Sequence, residues 1–220
     1  MIQIRQSSYL RRKVTVEAAK KGQAYQEDFD RLYQYYLKHR LGDTQLMSWK
    51  QTISDGKVSA EDHNATDGDL YIAYSLLEAS HQWPKQAKKY QAQAKAILGD
   101  ILKYNYNEET GVLTVGNWAN GDSDFYHLMR TSDTLPAQFQ VFYEVTQDPK
   151  WLDIKEKMLK QLDTISSQSN TGLLPDFIWV EEQGTRAADP NTIESKYDGS
   201  YSYNACRLPY NLVQSKDPVS

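Results

Sequence analysis

Apolar side chains recur at helical spacing along most of the chain. Five stretches carry the i, i+3, i+4, i+7 pattern of a helix that buries one face. Their apolar positions run from Phe29 to Leu37, Leu70 to Leu77, Tyr90 to Leu102, Phe139 to Tyr143 and Trp151 to Leu162. A sixth helix is predicted over residues 205–213, where Pro209 would kink or shorten it. The pattern predicts an all-α fold.

Glycine and proline mark the predicted ends of these elements. Gly42 is predicted to end the first helix. Pro84 is predicted in the first turn of the third helix, and the fourth is predicted to begin near Pro136. A short strand is predicted over residues 112–115. Residues 181–200 read as one long loop, which in a compact domain is usually functional. The sequence Gln-Trp-Pro-Lys at 82–85 is similar to Gln-Asp-Pro-Lys at 147–150. This faint repeat suggests helical hairpins arranged around a common axis.

Composition narrows the class of protein. The 220 residues suffice for one large domain or two small ones, and 40% hydrophobic and 25% charged residues are ordinary for a globular protein. No linker or low-complexity segment divides the sequence, so one domain over 1–220 is predicted. The net charge of −4 gives no reason to expect nucleic acid or an acidic membrane as a partner. Cys206 is the only cysteine, and the four histidines lack metal-ligand spacing, so no disulfide, metal or cofactor is predicted.

The N-terminal residues bear on localisation. No apolar run approaches the roughly 18 residues that span a bilayer. Residues 1–14 are polar and basic and lack the apolar core of a signal peptide. The chain as written is therefore expected to be cytoplasmic.

Two carboxylates stand at the predicted start of the second helix. Asp67 and Asp69 flank Gly68 in the segment 65–83, ATDGDLYIAYSLLEASHQW. A helix N-terminus favours negative charge because its backbone N–H groups are unpaired and its dipole is positive there. Two alternatives follow: both carboxylates cap the helix, or one caps it while the other faces a cleft.

This segment resembles, position for position, the signature of family 8 glycoside hydrolases. Residues 201–209, YSYNACRLP, resemble the second well-known segment of that family. The resemblance runs over about residues 14–213. It implies an incomplete (α/α)6 barrel, a toroid of helical hairpins. It also implies inverting, endoglucanase-like hydrolysis of a β-linked polysaccharide or oligosaccharide without a cofactor.

The resemblance assigns roles to the carboxylates. It places Asp67 in the active site, holding the sugar at the cleavage point, and leaves Asp69 as the capping residue. One branch of the family has an aspartate base where this chain has Asn204, which cannot serve as a base. A second branch takes its base from a glutamate on an inserted loop, and Glu194 is the candidate here. The alternatives to Glu194 are Glu181, Glu182 and Asp198.

Further residues are candidates for substrate contact. The chain has 16 tyrosines and five tryptophans, whose faces stack on sugar rings, although core packing is the more common use. The candidates are Trp49, Trp118, Asp133, Tyr203, Asn204 and Arg207. Two have structural alternatives: Asp133 or Thr134 as the N-cap of the helix at Pro136, and Arg207 in an ion pair.

The general acid of the family is a glutamate near the start of the domain. Here only Ser7-Ser8-Tyr9 looks related, and the first glutamate, Glu17, lies too far along. The family also has further helices after the segment at 201–209. These observations predict a truncated, weakly active or inactive copy of a protein whose full-length relatives are typically secreted. The alternatives are a non-catalytic glycan-binding remnant and a helical interaction protein.

Overall fold

The computed structural model describes residues 2–5 and 25–215. The helices in these ranges are α1 (Gln26–Lys38), α2 (Thr66–Gln82), α3 (Ala87–Tyr104), α4 (Pro136–Thr146), α5 (Lys150–Ser166) and α6 (Leu208–Val213). The strands are β1 (Ile2–Arg5), β2 (Lys50–Ser54), β3 (Lys57–Ala60), β4 (Leu128–Arg130), β5 (Phe177–Glu181) and β6 (Gly184–Ala187). None of the helices described is long and apolar enough to cross a membrane.

The chain folds into two compact units. The first comprises Met1–Tyr104 with Gly116–Trp118, and the second comprises Asn105–Val115 with Ala119–Ser220. The prediction of a single domain over 1–220 stays a prediction. The segment in which the family resemblance places the general acid, including Ser7-Ser8-Tyr9 and Glu17, lies outside the described residues.

The first unit packs an aromatic cluster between its helices. The ring of Phe29 lies 5.2 Å from that of Trp83 and 5.4 Å from that of Tyr90. The Tyr90 hydroxyl donates to the Asp30 carboxylate at 2.6 Å, and burial is the main cause that raises the pKa of Tyr90. Tyr36 is also fully buried. For these tyrosines the core-packing alternative is correct.

Helix α2 is buried more completely than an amphipathic stripe predicts. Its predicted stripe at Leu70, Ala73, Leu76 and Leu77 is in the core, and Ile72 on another side is also buried. A helix that is apolar on most sides belongs in an interior. Its first turn is also largely buried, at Thr66, Gly68 and Asp69.

The second unit pairs α4 with α5. The two helices pack against each other with Trp151 between Phe139 and Phe142, whose ring centroids lie 5.9 and 5.1 Å from the indole. The chain reverses at Gln147, which has a left-handed φ of 60°. The corresponding turn between α2 and α3 contains Pro84, so both copies of the faint repeat lie at hairpin corners.

The described residues also form two antiparallel sheets, β1-β2-β3 and β4-β5-β6, which the all-α prediction did not include. Their strands have three to five residues, too short for a clear alternation, and β3 is exposed at every position. The predicted strand at 112–115 is wrong: the segment is buried but makes a single bridge, from Leu113 to Tyr106. The predicted long loop 181–200 is wrong in its first part, which forms β6.

The helix ends deviate slightly from prediction. Helix α1 ends at Lys38, and Gly42 lies in the following turn with a φ of 50°. The sixth predicted helix divides into a 3-10 turn over Ala205–Arg207 and α6, with Pro209 in the first turn of α6. Proline is tolerated there because its missing N–H has no helical partner in any case.

Candidate active site

In the first unit, the site is built around the start of α2. Asp67 lies half-exposed in the first turn, and Asp69 is fully buried. The Asp69 carboxylate accepts a hydrogen bond from the Met47 backbone N–H at 3.0 Å and another from the Asn64 side-chain amide at 2.8 Å. The predicted role of Asp69 was to cap its own helix. The structure shows that it ties two preceding segments to that helix.

Asn64 extends this connection to a second loop. Its backbone N–H donates to the Asn117 side chain at 3.0 Å, and the Asn117 backbone N–H donates back to the Asn64 side chain at 2.7 Å. At Gly116, an added Cβ would lie 2.8 Å from the Asn64 carbonyl oxygen and 2.6 Å from the Trp118 Nε1. Glycine is therefore required for this close approach, which sets Trp118 beside Asn64.

The two predicted stacking residues of this unit are close to one imidazole. His63 stacks on Trp49 with ring centroids 6.0 Å apart, and it meets Trp118 edge-on at 6.3 Å. Lys50 lies 5.0 Å over the Trp49 ring. His63 also bonds Asp62, which lowers the pKa of that carboxyl. The structure thus brings two half-exposed indoles together on loops that Asp69 anchors.

In the second unit, Glu194 is held at both carboxylate oxygens. Arg130 donates to its Oε1 at 2.8 Å, and the Asn204 side-chain amide donates to its Oε2 at 3.0 Å. The Glu194 side chain is 44% exposed, whereas that of Arg130 is 8% exposed. Hydrogen bonds from Arg130 and Asn204 therefore fix the carboxylate, while part of it remains accessible to solvent.

Arg207 sets the direction of the Asn204 amide. Its Nη2 donates to the Asn204 Oδ1 at 2.9 Å and to the Ser132 hydroxyl at 2.7 Å. With its oxygen engaged by Arg207, Asn204 turns its NH2 group toward Glu194. Arg207 and Asn204 thus support the carboxylate, a role that the sequence did not predict for them.

Two candidate contact residues differ in accessibility. Tyr203 is 86% exposed and can meet a ligand. Asp133 is 1% exposed, and its carboxylate lies 3.8 Å from the Arg130 guanidinium. Asp133 is thus buried beside Arg130, and its contact with substrate stays a prediction. The alternative N-cap at Asp133 or Thr134 is wrong, since α4 has Leu135 at that position.

The alternative bases are engaged differently. Asp198 is buried and accepts three backbone N–H groups of its own loop. Glu181 lies 3.6 Å from Arg186 of the adjacent strand β6, and Glu182 is in the exposed turn of the β5–β6 hairpin. Among the four, Glu194 is the exposed carboxylate that accepts a described hydrogen bond at each of its two oxygens. Within the described ranges, no group of acidic, histidine and cysteine side chains could hold a metal ion.

Comparison with known proteins identifies the family. The family model of glycosyl hydrolases family 8 matches residues 22–218. The chain belongs to glycoside hydrolase family 8. A beta-glucanase of Niallia circulans is 36% identical over 189 residues, covering 84% of this chain and 46% of that protein. An endoglucanase of Bacillus sp. (strain KSM-330) is 34% identical over 171 residues, covering 76% of this chain and 36% of that protein.

A solved glucanase structure matches this fold. The apo structure of a beta-1,3-1,4-glucanase from Paenibacillus sp. X4 has a TM-score of 0.88 and 31% identity, covering 96% of this chain and 56% of that one. The family fold is an (α/α)6 barrel, with which the helical content here is consistent. The chain spans about half the length, or less, of the curated relatives it matches.

Proposed function

We propose that this chain acts on the β-glycosidic bonds of a glucan, with inversion at the anomeric carbon, and that Glu194 is the base. The observation that carries the proposal is the half-exposed Glu194 carboxylate, fixed by Arg130 and Asn204. Asn204 cannot act as a base itself, which leaves that role to its neighbour. The similar beta-glucanase of Niallia circulans supports a glucan as substrate.

The proposed step follows the general scheme of inverting glycosidases. A water molecule attacks the anomeric carbon while Glu194 accepts its proton, and the bond to the leaving oxygen breaks. The leaving oxygen must gain a proton from an acid. The segment around Ser7-Ser8-Tyr9, where the family resemblance leads us to expect the acid, has no glutamate, and we propose that this second proton transfer is slow.

The remaining roles are divided between the two units. In the first, Asp67 is proposed to hold the sugar, and Trp49 and Trp118 to stack on neighbouring rings. In the second, Tyr203 is the exposed aromatic residue closest in sequence to Asn204. We further propose that the helical hairpins of this chain belong to an (α/α)6 barrel.

A substrate whose leaving group needs no proton is expected to bypass the slow proton transfer to the leaving oxygen. Fluoride departs without protonation, so β-cellotriosyl fluoride should be hydrolysed faster than mixed-linkage β-glucan. The expected excess is about 10²–10⁴-fold, the usual contribution of a general acid. Fluoride release and reducing-sugar release measure the two rates, with an α-linked glucan as the control substrate.

Each result of this comparison has a clear meaning. No turnover of either β-linked substrate above the control would exclude hydrolysis as the function. Equal and rapid turnover of both would show that the chain has a working acid, and would contradict the expected weakness.

Glycan binding without cleavage is the second candidate, because the indole pair of the first unit can bind sugar independently of Glu194. We expect Trp118→Ala to weaken the affinity for cellotetraose about 10-fold, since it removes one stacking face. Isothermal titration measures the dissociation constant. Tyr210→Ala is the control, because Tyr210 is exposed on α6 and is not a predicted contact. Unchanged affinity in Trp118→Ala would exclude this indole as a sugar platform.

A further inference from the structure

Glu194 lies in a segment without regular secondary structure, yet a base must be held within about 0.5 Å of its working position. Loop residues ordinarily move more than helices and strands do. Arg130 and Asn204 fix the end of the side chain. The backbone that carries it needs its own anchor.

Asp198 supplies that anchor. Its carboxylate accepts the backbone N–H of Ile193 at 2.7 Å, of Glu194 at 2.9 Å and of Ser195 at 2.8 Å. The residue is 1% exposed, so water does not compete for these bonds. Hydrogen bonds to a charged acceptor are about twice as strong as neutral ones. Three of them on consecutive residues hold the loop at the position of Glu194.

Asp176 does the same for the segment that carries Asn204. Its buried carboxylate accepts the backbone N–H of Ser202 at 3.1 Å, of Asn204 at 3.1 Å and of Ala205 at 2.7 Å. These groups open the 3-10 turn at Ala205, where N–H groups lack partners within the turn. The carboxylate therefore fixes the backbone from which the Asn204 amide reaches Glu194.

A short backbone ladder links the two carboxylates. The Asp176 N–H donates to the Ser200 carbonyl, and the Phe177 N–H donates to the Asp198 carbonyl, each at 2.9 Å. Gly199 lies between these bonds, and a Cβ there would stand 1.9 Å from the Ala188 carbonyl oxygen. The ladder requires glycine at this position and sets the two anchors at a fixed spacing.

We propose that Asp198 and Asp176 are positioning residues, which hold Glu194 and Asn204 in their working geometry before substrate binds. The proposal rests on the proposed function of Glu194 as the base. Neither carboxylate would touch substrate. Their effect on hydrolysis would pass entirely through the residues that they hold.

Amide hydrogen exchange by NMR, on the full chain, tests the geometry without using activity. In the wild type, the amides of residues 193–195 should be protected although they lie in a loop. In Asp198→Asn they should exchange about 10-fold faster or more, while those of residues 202, 204 and 205 respond to Asp176→Asn. Asp189→Asn is the matched control, since its side chain is 79% exposed on the same loop. Unprotected amides in the wild type would overturn the proposal even if a variant does not fold.

A double-mutant cycle on β-cellotriosyl fluoride tests the catalytic part. We expect Asp198→Asn to lower kcat about 10- to 100-fold with little change in KM, and to have no further effect in a Glu194→Ala background. Equal effects in both backgrounds would show a general structural role and overturn the proposal. If the wild type does not turn over the fluoride, the proposed function fails, and the exchange data alone decide whether the anchors hold the loop.

Discussion

Replacing Glu194 with alanine should lower kcat on β-cellotriosyl fluoride by about 10²–10⁴-fold, the usual contribution of a general base. The attacking water would lose the group that accepts its proton, while Arg130 and Asn204 would remain. KM should change little, because Glu194 acts on water rather than on the sugar. Steady-state fluoride release measures both constants.

The control for this prediction is Glu182→Ala. Glu182 is exposed in the β5–β6 turn and was an alternative base in the sequence. Its removal should leave kcat unchanged. If Glu182→Ala and not Glu194→Ala abolished turnover, the assignment of the base would be wrong.

Replacing Asp69 with alanine should destabilise the first unit by about 2–4 kcal/mol, because each buried donor that loses its acceptor costs about 1–3 kcal/mol. The change removes the buried acceptor of the Met47 N–H and of the Asn64 amide. Urea unfolding followed by tryptophan fluorescence measures the free energy. Because Trp49 and Trp118 are on the loops that Asp69 anchors, glycan affinity should also fall.

Asp62→Ala is the matched control for Asp69. Asp62 has a fully exposed side chain on the same stretch of chain and bonds only its neighbour His63 among the described contacts. Its removal should not shift the urea midpoint measurably. An equally small shift in Asp69→Ala would contradict the anchoring role of Asp69.

The helices were predictable because their burial is local in sequence. The stripes on α3 and α5 repeat every three or four residues, and the core uses those positions, from Tyr90 to Ile101 and from Trp151 to Leu162. Pro136 marks the start of α4 as predicted. In each case a short window of residues contains both the apolar face and its boundary.

The contacts that build the site were not predictable in this way. Arg130 and Glu194 are 64 residues apart in sequence, and no local pattern pairs them. The sequence likewise could not distinguish a helix cap from a loop anchor at Asp69, because both uses place a carboxylate at a helix start. Asp176 lies beside a turn and carries no local signal of its role.

The central claim is that Glu194 is the base of an inverting reaction, and the configuration of a rescued product tests it most directly. Azide needs no deprotonation, so in Glu194→Ala it can attack the anomeric carbon of β-cellotriosyl fluoride as the C–F bond breaks and fluoride leaves. The account predicts that azide restores turnover and that proton NMR shows the α-glycosyl azide. A β-glycosyl azide, or no response to azide, would contradict it.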